Sequence, residues 1–416
     1  MTQRHAAVTG LGPVSAIGTG VDRFWTALVA GTSGFRRLDP AVPAGRPIVV
    51  AAVSDPPAQA LDGANPLPRG VQLALHAARL AWADAGWDGP HDRVAVVVGT
   101  GLGNLDVVED AHLRLVNSQR LSAATGFRAF AHAAACEIAC ELDLRGPIQT
   151  VTSGCNSGAD ALGLALDWLR LGRADAVLVG GTEAELTAGF LGAMSAARAL
   201  SRSHNDAPEE ASRPFDIDRD GNVPGEGAGF LVVEHPDRAR ARHARVYARL
   251  SGFANQAVGK RPSYNPFAPP LDIAPMVRTM RAALDDSGIT PEEVSTVSAN
   301  GSSSVFYDPL EAAAIWALFG ADTLCYPVHS IKSMLGQTGA VTPALQAISA
   351  ALTIHHGLIP PTINIGRIEP RCALNVVQGQ ALRVEVRHLL ANAIGFGGYY
   401  YAAAVYSAEP PGGISD

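Results

Sequence analysis

The run Ala159–Leu171 narrows the possible folds more than any other stretch of the chain. It carries Ala161, Leu162, Leu164, Ala165, Leu166, Trp168 and Leu169, so a helix built from it is apolar on nearly every face. Such a helix has no side to offer to water and is buried inside the protein. A β-looking run, Ile148–Thr152, precedes it, and Ala176–Val179 follows, closing at Gly180-Gly181. Ile148–Gly181 therefore reads as a strand–helix–strand unit of the parallel, right-handed kind.

The turn between that strand and helix is Thr150-Val-Thr-Ser-Gly-Cys155-Asn-Ser-Gly158. Gly154 and Gly158 bracket Cys155, as a sharp strand-to-helix turn requires, because glycine tolerates backbone angles that other residues resist. The thiol then stands at a helix N-terminus, where aligned peptide dipoles and free N–H groups favour an anion, so it should ionise more readily than a free cysteine. One reading is an activated nucleophile; the other is a small buried cysteine in a tight turn. The glycine bracket and the helix start favour the nucleophile.

Composition excludes several classes. With 32 basic and 39 acidic residues interspersed over 416 positions, the formal charge is −7, and no basic tract points to nucleic acid or a membrane surface. No apolar run reaches the roughly 20 residues of a membrane span, and Met-Thr-Gln-Arg-His leads straight into a strand, so a cytoplasmic protein is expected. The five cysteines include no CxxC pair. Cys136 and Cys140 lie one helical turn apart, and core packing is expected for them rather than zinc. Gly99-Thr-Gly-Leu-Gly103 misses the dinucleotide spacing, so no cofactor is assigned to it. Lys260 and Lys332 are the only lysines in a chain that otherwise uses arginine.

Taken in order, strands are expected at Ala6–Gly10, Val94–Val98, Ile148–Thr152, Ala176–Val179 and Phe230–Glu234, with helices at Val21–Val29, Val71–Ala85 and Ala129–Leu142. Residues 30–68 are expected to form surface loops. From Val246 the pattern restarts: strands at Val246–Phe253 and Val294–Ala299, helices at Ile273–Ser287, Leu310–Leu318 and Ala344–His355, a loop at Ser330–Gln337, and strand-like runs near Arg383–Arg387 and Tyr399–Tyr406. Two α/β halves, 1–245 and 246–416, are expected. The basic run Arg238–Arg245 is read as a solvated face.

The residues also resemble a known family. Val8-Thr-Gly-Leu-Gly12, Ser153-Gly-Cys-Asn-Ser-Gly158, Gly180-Gly-Thr-Glu-Ala184, Arg213-Pro-Phe-Asp216 with Asp218-Arg-Asp-Gly221, Gly225-Glu-Gly-Ala228, Lys332-Ser-Met-Leu-Gly336, Gly357-Leu-Ile-Pro-Pro-Thr362 and Gly395-Phe-Gly-Gly398 follow one another as in the β-ketoacyl-carrier-protein synthases (ketosynthases) of the thiolase fold. The resemblance runs from about residue 6 to residue 406. It implies an α/β thiolase-like fold with duplicated halves in an α-β-α-β-α layering, and a dimer. It also implies an acyl chain delivered on the phosphopantetheine arm of an acyl carrier protein, with no bound cofactor or metal. By resemblance Cys155 is the acyl nucleophile, and the Phe396 N–H joins that of Cys155 as an oxyanion hole while its ring gates the pocket.

The departures fall on the family's two histidines, which there assist decarboxylation of a malonyl thioester. Their positions hold Asn300, in Asn300-Gly-Ser-Ser-Ser304, and Gln337; Lys332 keeps the family's lysine position. Gln346 stands where a carboxylate is usual, and Tyr399-Tyr-Tyr401 replaces the usual Thr-Asn. Amides still donate N–H groups but do not exchange protons near neutrality as imidazole does. His329, on the strand leading to Lys332, and His132, where the family usually has asparagine, are weighed as substitutes; a core or surface position is expected for both. Two functions follow: a ketosynthase-like acyl-thioester transferase of fatty-acid or polyketide-type biosynthesis, or a non-catalytic subunit like a chain-length factor, paired with an active ketosynthase. Retention of Cys155 and Lys332 favours the enzyme.

Overall fold

The computed structural model describes residues 5–38, 47–54, 67–259, 272–397 and 400–410; Lys260 and Tyr399 lie outside them. Ten strands form the frame: β1 Ala6–Ser15, β2 Val94–Gly99, β3 Ile148–Val151, β4 Ala176–Ala184, β5 Glu226–Glu234, β6 Ala248–Ala257, β7 Thr296–Ser298, β8 Val328–His329, β9 His388–Ile394 and β10 Tyr400–Ser407. Their spatial order is β8-β7-β9-β10-β6-β1-β5-β4-β2-β3, joined in the middle by antiparallel pairing of Ala6–Val8 with Ala248–Leu250. Outward from that seam, the first five strands run 1-5-4-2-3 and the second five repeat the order. Strand sense repeats too: two antiparallel pairings, then two parallel ones. The chain is a duplicated α/β structure.

Alternation explains the layers. Along β2, Val94, Val96 and Val98 face one core while Ala95 and Val97 face another; along β4, Ala176 and Leu178 oppose Val177 and Val179 in the same way. A strand buried on both faces needs a helix layer on each. The outer layers are α1 (Arg69–Ala85) over the first half and α3 (Ala274–Ser287) over the second. Between the halves lie α2 (Ser157–Arg170) and α4 (Thr342–His356), which touch strands of both. Hence the all-round apolarity of α2. Leu162 and Leu166 are fully buried there, each contributing about 2 kcal/mol.

Several expectations change. Residues 30–68 include a hairpin, Arg36–Leu38 with Ile48–Val50. The helix expected at Ala129–Leu142 is two, Ala124–Arg128 and Ala133–Glu141, and Cys136 and Cys140 on the second are exposed rather than packed in a core. Ser330–Gln337 contains a helical turn, Lys332–Leu335. Near Arg383 only Leu382–Arg383 is extended, pairing with Leu358–Ile359; the main-sheet strand is β9, whose Ala and Asn residues weaken a strand pattern although both its faces are covered. The arginines of 238–245 are engaged: Arg242 with buried Glu234, Arg245 with Asp84, Arg240 with Asp237, and Arg238 over the Trp87 ring at 4.7 Å. No helix among the described residues is long and apolar enough to cross a membrane.

Candidate active site

The turn from β3 into α2 is built by two glycines with different tasks. Gly154 has φ +65°, a left-handed conformation that disfavours any Cβ. Gly158 is already helical; a Cβ there would stand 2.4 Å from the Ala340 carbonyl oxygen, so its lack of a side chain lets α2 touch the second half. Ser157 Oγ accepts the Ser153 N–H at 2.9 Å and donates to the Gly154 carbonyl at 2.6 Å, fixing the loop around Cys155. Asn156 Nδ2 donates to the Tyr400 carbonyl at 3.1 Å and ties the turn to β10.

Cys155 opens onto a cavity of about 350 Å³. Its sulfur is reached from that cavity but is otherwise enclosed by protein. The electrostatics reverse the sequence expectation. Burial pushes the Cys155 thiol up, Glu185 adds repulsion, and the Phe396 N–H, the Gln337 side-chain N–H and the Lys332 ammonium only partly oppose them. A helix N-terminus alone does not ionise this thiol.

Gln337 and Phe396 therefore converge on the sulfur, and both line the cavity. The Gln337 backbone is pinned by Gln337 N to Val223 O at 2.7 Å and Gly225 N to Gln337 O at 3.0 Å, which leaves its side chain to face Cys155. Its Oε1 has no hydrogen-bond partner among the described residues. Asn300 and Lys332 lie together behind the cavity wall. Lys332 Nζ donates to Asn300 Oδ1 at 2.6 Å, and the Ile394 N–H donates to the same oxygen at 3.1 Å. Two donors on one atom fix the orientation of that amide. Burial pulls the Lys332 ammonium down to about 8, with Glu311 offsetting part of the shift.

The Asn300 loop is held by one helix, Tyr307–Phe319, whose Asp308 and Glu311 are a turn apart. Glu311 accepts from the N–H groups of Asn300 (2.7 Å) and Gly301 (2.8 Å), and Asp308 from those of Ser302 (3.0 Å) and Ser304 (3.2 Å). Gln346 is buried with Nε2 at 3.1–3.3 Å from the carbonyls of Ser298, Ala299 and Asn392 and the Ser298 hydroxyl. A carboxylate could not donate to those oxygens. His329 is fully buried with neither ring nitrogen hydrogen-bonded among the described residues, and burial brings it down to about 4; His132 is exposed against Phe130. Neither lines the cavity.

The sequence reading missed part of the cavity wall: Glu185, Asn222, and Phe190 and Met194 from the helix Ala188–Ala196. The Glu183-Ala-Glu185 alternation at the end of β4 was the available signal, since residues two apart on a strand share a face. The glycine loop 99–103 also finds its role. Gly101 N (2.7 Å) and Leu102 N (3.2 Å) donate to Glu183, so those amides serve an internal carboxylate.

Comparison with known proteins fits this geometry. The profile described as "Beta-ketoacyl synthase, N-terminal domain" matches residues 3–239, and its counterpart, "Beta-ketoacyl synthase, C-terminal domain", matches residues 247–366. The chain belongs to the beta-ketoacyl synthase family. A 3-oxoacyl-(acyl-carrier-protein) synthase 2 of Coxiella burnetii is 35% identical over 407 residues, covering 96% of this synthase-family chain and 97% of that protein. Among solved structures, the type II PKS ketosynthase AntDE, in complex with its acyl-carrier protein AntF and bound to the hexaketide, matches with TM-score 0.90 and 29% identity over 98% of this chain and 100% of that one. The ishigamide ketosynthase/chain length factor matches with TM-score 0.88 and 32% identity, again over 98% and 100%. The thiolase-like fold follows, with a duplicated sheet around two central helices.

Proposed function

We propose that this synthase-family chain is an acyl-thioester transferase of a cytoplasmic fatty-acid or polyketide-type pathway, its two halves dividing at residue 245. Cys155 takes an acyl chain from the phosphopantetheine arm of an acyl carrier protein. The sulfur attacks the thioester carbonyl, the N–H groups of Cys155 and Phe396 receive the oxyanion, and the pantetheine thiol departs. The observation carrying this reading is the convergence of the Phe396 and Gln337 N–H groups on a sulfur that faces a largely apolar cavity.

Decarboxylative condensation is a poorer match. Asn300 and Gln337 donate hydrogen bonds without exchanging protons, and loss of a general acid or base commonly costs about 10²–10⁴-fold. Asn300 is further occupied, its oxygen being shared by Lys332 and Ile394. A second reading is a non-catalytic partner of an active ketosynthase, favoured by those two amides and by the likeness to the ishigamide ketosynthase/chain length factor. Incubation with acyl-carrier-protein thioesters, followed by intact mass measurement, separates the two. The first reading gives an acyl adduct that disappears in Cys155→Ala. No adduct at any chain length, together with stable pairing with a ketosynthase, would establish the second.

A further inference from the structure

The cavity around Cys155 contains an acid with no hydrogen-bonding task. Glu185 follows β4, is 5% exposed, and lines the same cavity as the thiol. Its neighbour Glu183 is fully engaged, accepting from Gly101 N, Leu102 N, Thr100 Oγ1 and the Ala340 N–H. Among the described residues none donates a hydrogen bond to Glu185 or forms an ion pair with it. Its Oε2 is pressed toward Gly339, where an added Cβ would stand 2.8 Å away. A buried polar group without a partner calls for one, and the space in front of this one is the cavity.

The other titratable groups there are already committed. Tyr400 bonds through its hydroxyl to Asp160 and Asn255, and Glu183 is held as above. The amides of Gln337 and Asn222 do not exchange protons near neutrality. We propose that Glu185 is the catalytic proton-transfer group of this cavity, taking the proton of Cys155 as it attacks a thioester and returning it to the departing pantetheine sulfur. This rests on the acyl-transfer reading above. The step balances without redox chemistry. The thiol proton passes to the Glu185 carboxylate as the S–C bond to the acyl carbon forms. The C–S bond to pantetheine then breaks, and the Glu185 carboxylic acid protonates the released thiolate. When an alcohol, amine or water later attacks the acyl-cysteine, the same carboxylate takes the proton that acceptor must lose.

The surroundings suit that task. Burial, followed by repulsion from Glu183, raises the Glu185 carboxyl well above the usual carboxylate range, so it holds a proton more readily than an ordinary carboxylate does. The charged and titratable groups facing it are Glu183 from β4 and Cys155 from the turn before α2, with Tyr400 from β10 on the cavity wall; Lys332 acts on the sulfur without lining the cavity.

The test compares two reactions of the full chain at one sulfur: acyl loading from acyl-coenzyme A thioesters, followed by intact mass, and alkylation of Cys155 by iodoacetamide across pH. In Glu185→Gln, loading at neutral pH falls about 10²-fold because no base receives the proton. Alkylation becomes faster and its midpoint moves to lower pH, because a neutral amide no longer repels the thiolate. Glu185→Asp restores part of the loading. A structural defect would slow both reactions together, and that result overturns the proposal, as does a Glu185→Gln chain that loads as fast as the wild type. A wild-type chain that takes up no acyl group from any thioester overturns the acyl-transfer reading itself.

Discussion

Burial and the Glu185 carboxyl push the Cys155 thiol up, while the N–H groups of Phe396 and Gln337 and the Lys332 ammonium favour its anion. Removing one of the latter should show. In Gln337→Ala the iodoacetamide midpoint rises by about one pH unit, the scale of one hydrogen bond to a charged group; an unchanged midpoint would mean that this amide does not act on the sulfur. A second residue governs acid stability. His329 stands at about 4 in the folded chain against an ordinary 6.5, so below pH 6.5 the unfolded chain takes up a proton that the folded one refuses. This contribution is complete above pH 6.5 and is lost as pH falls toward 4, about 3 kcal/mol in all. Urea denaturation at both pH values measures it, and His329→Leu should flatten that part of the slope. Cys155 was legible in the sequence from its glycine bracket and the helix that follows. The direction of its ionisation was not, because Glu185 and the cavity reach it only through tertiary packing.

Among the elements, α2 was the most legible, since an all-round apolar helix has only the middle of a layered protein to occupy. Strand β9 was the least legible, its alanines and asparagine giving no β pattern until its neighbours cover both faces. The Asn300 loop and α4 show how one element disciplines another. Asp308 and Glu311, one turn apart on a single helix, collect the N–H groups of residues 300–304, and Gln346 of α4 meets four oxygens around the ends of β7 and β9. The Gln346 amide supplies the donor at that point. Gln346→Glu would set a buried carboxyl against those oxygens and should destabilise the fold by about 3 kcal/mol, read as a lowered urea midpoint at neutral pH; wild-type stability would show that the amide is dispensable.

At the scale of the molecule, the strand order 1-5-4-2-3 occurs twice, and α2 and α4 occupy the layer between the two copies. The sequence suggested two halves because its strand–helix alternation restarts near Val246, but strand order is set by non-local pairing that alternation does not encode. One edge of the sheet is β3, and its Ile148 is 43% exposed. An exposed edge strand presents unpaired backbone groups and pairs readily with another chain. The chain should therefore run as a dimer in light scattering and Ile148→Arg as a monomer; a wild-type monomer would contradict this.

The central claim is that Cys155 accepts an acyl chain while Asn300 and Gln337, amides that exchange no proton near neutrality, do not support efficient decarboxylation. One measurement addresses both parts: a single sample given an acyl-carrier-protein thioester and a malonyl thioester, with acyl adduct followed by intact mass and released carbon dioxide followed by radiolabel. The account predicts a Cys155 adduct, absent in Cys155→Ala, with carbon dioxide release near the no-enzyme level. Carbon dioxide released in step with adduct turnover would contradict it.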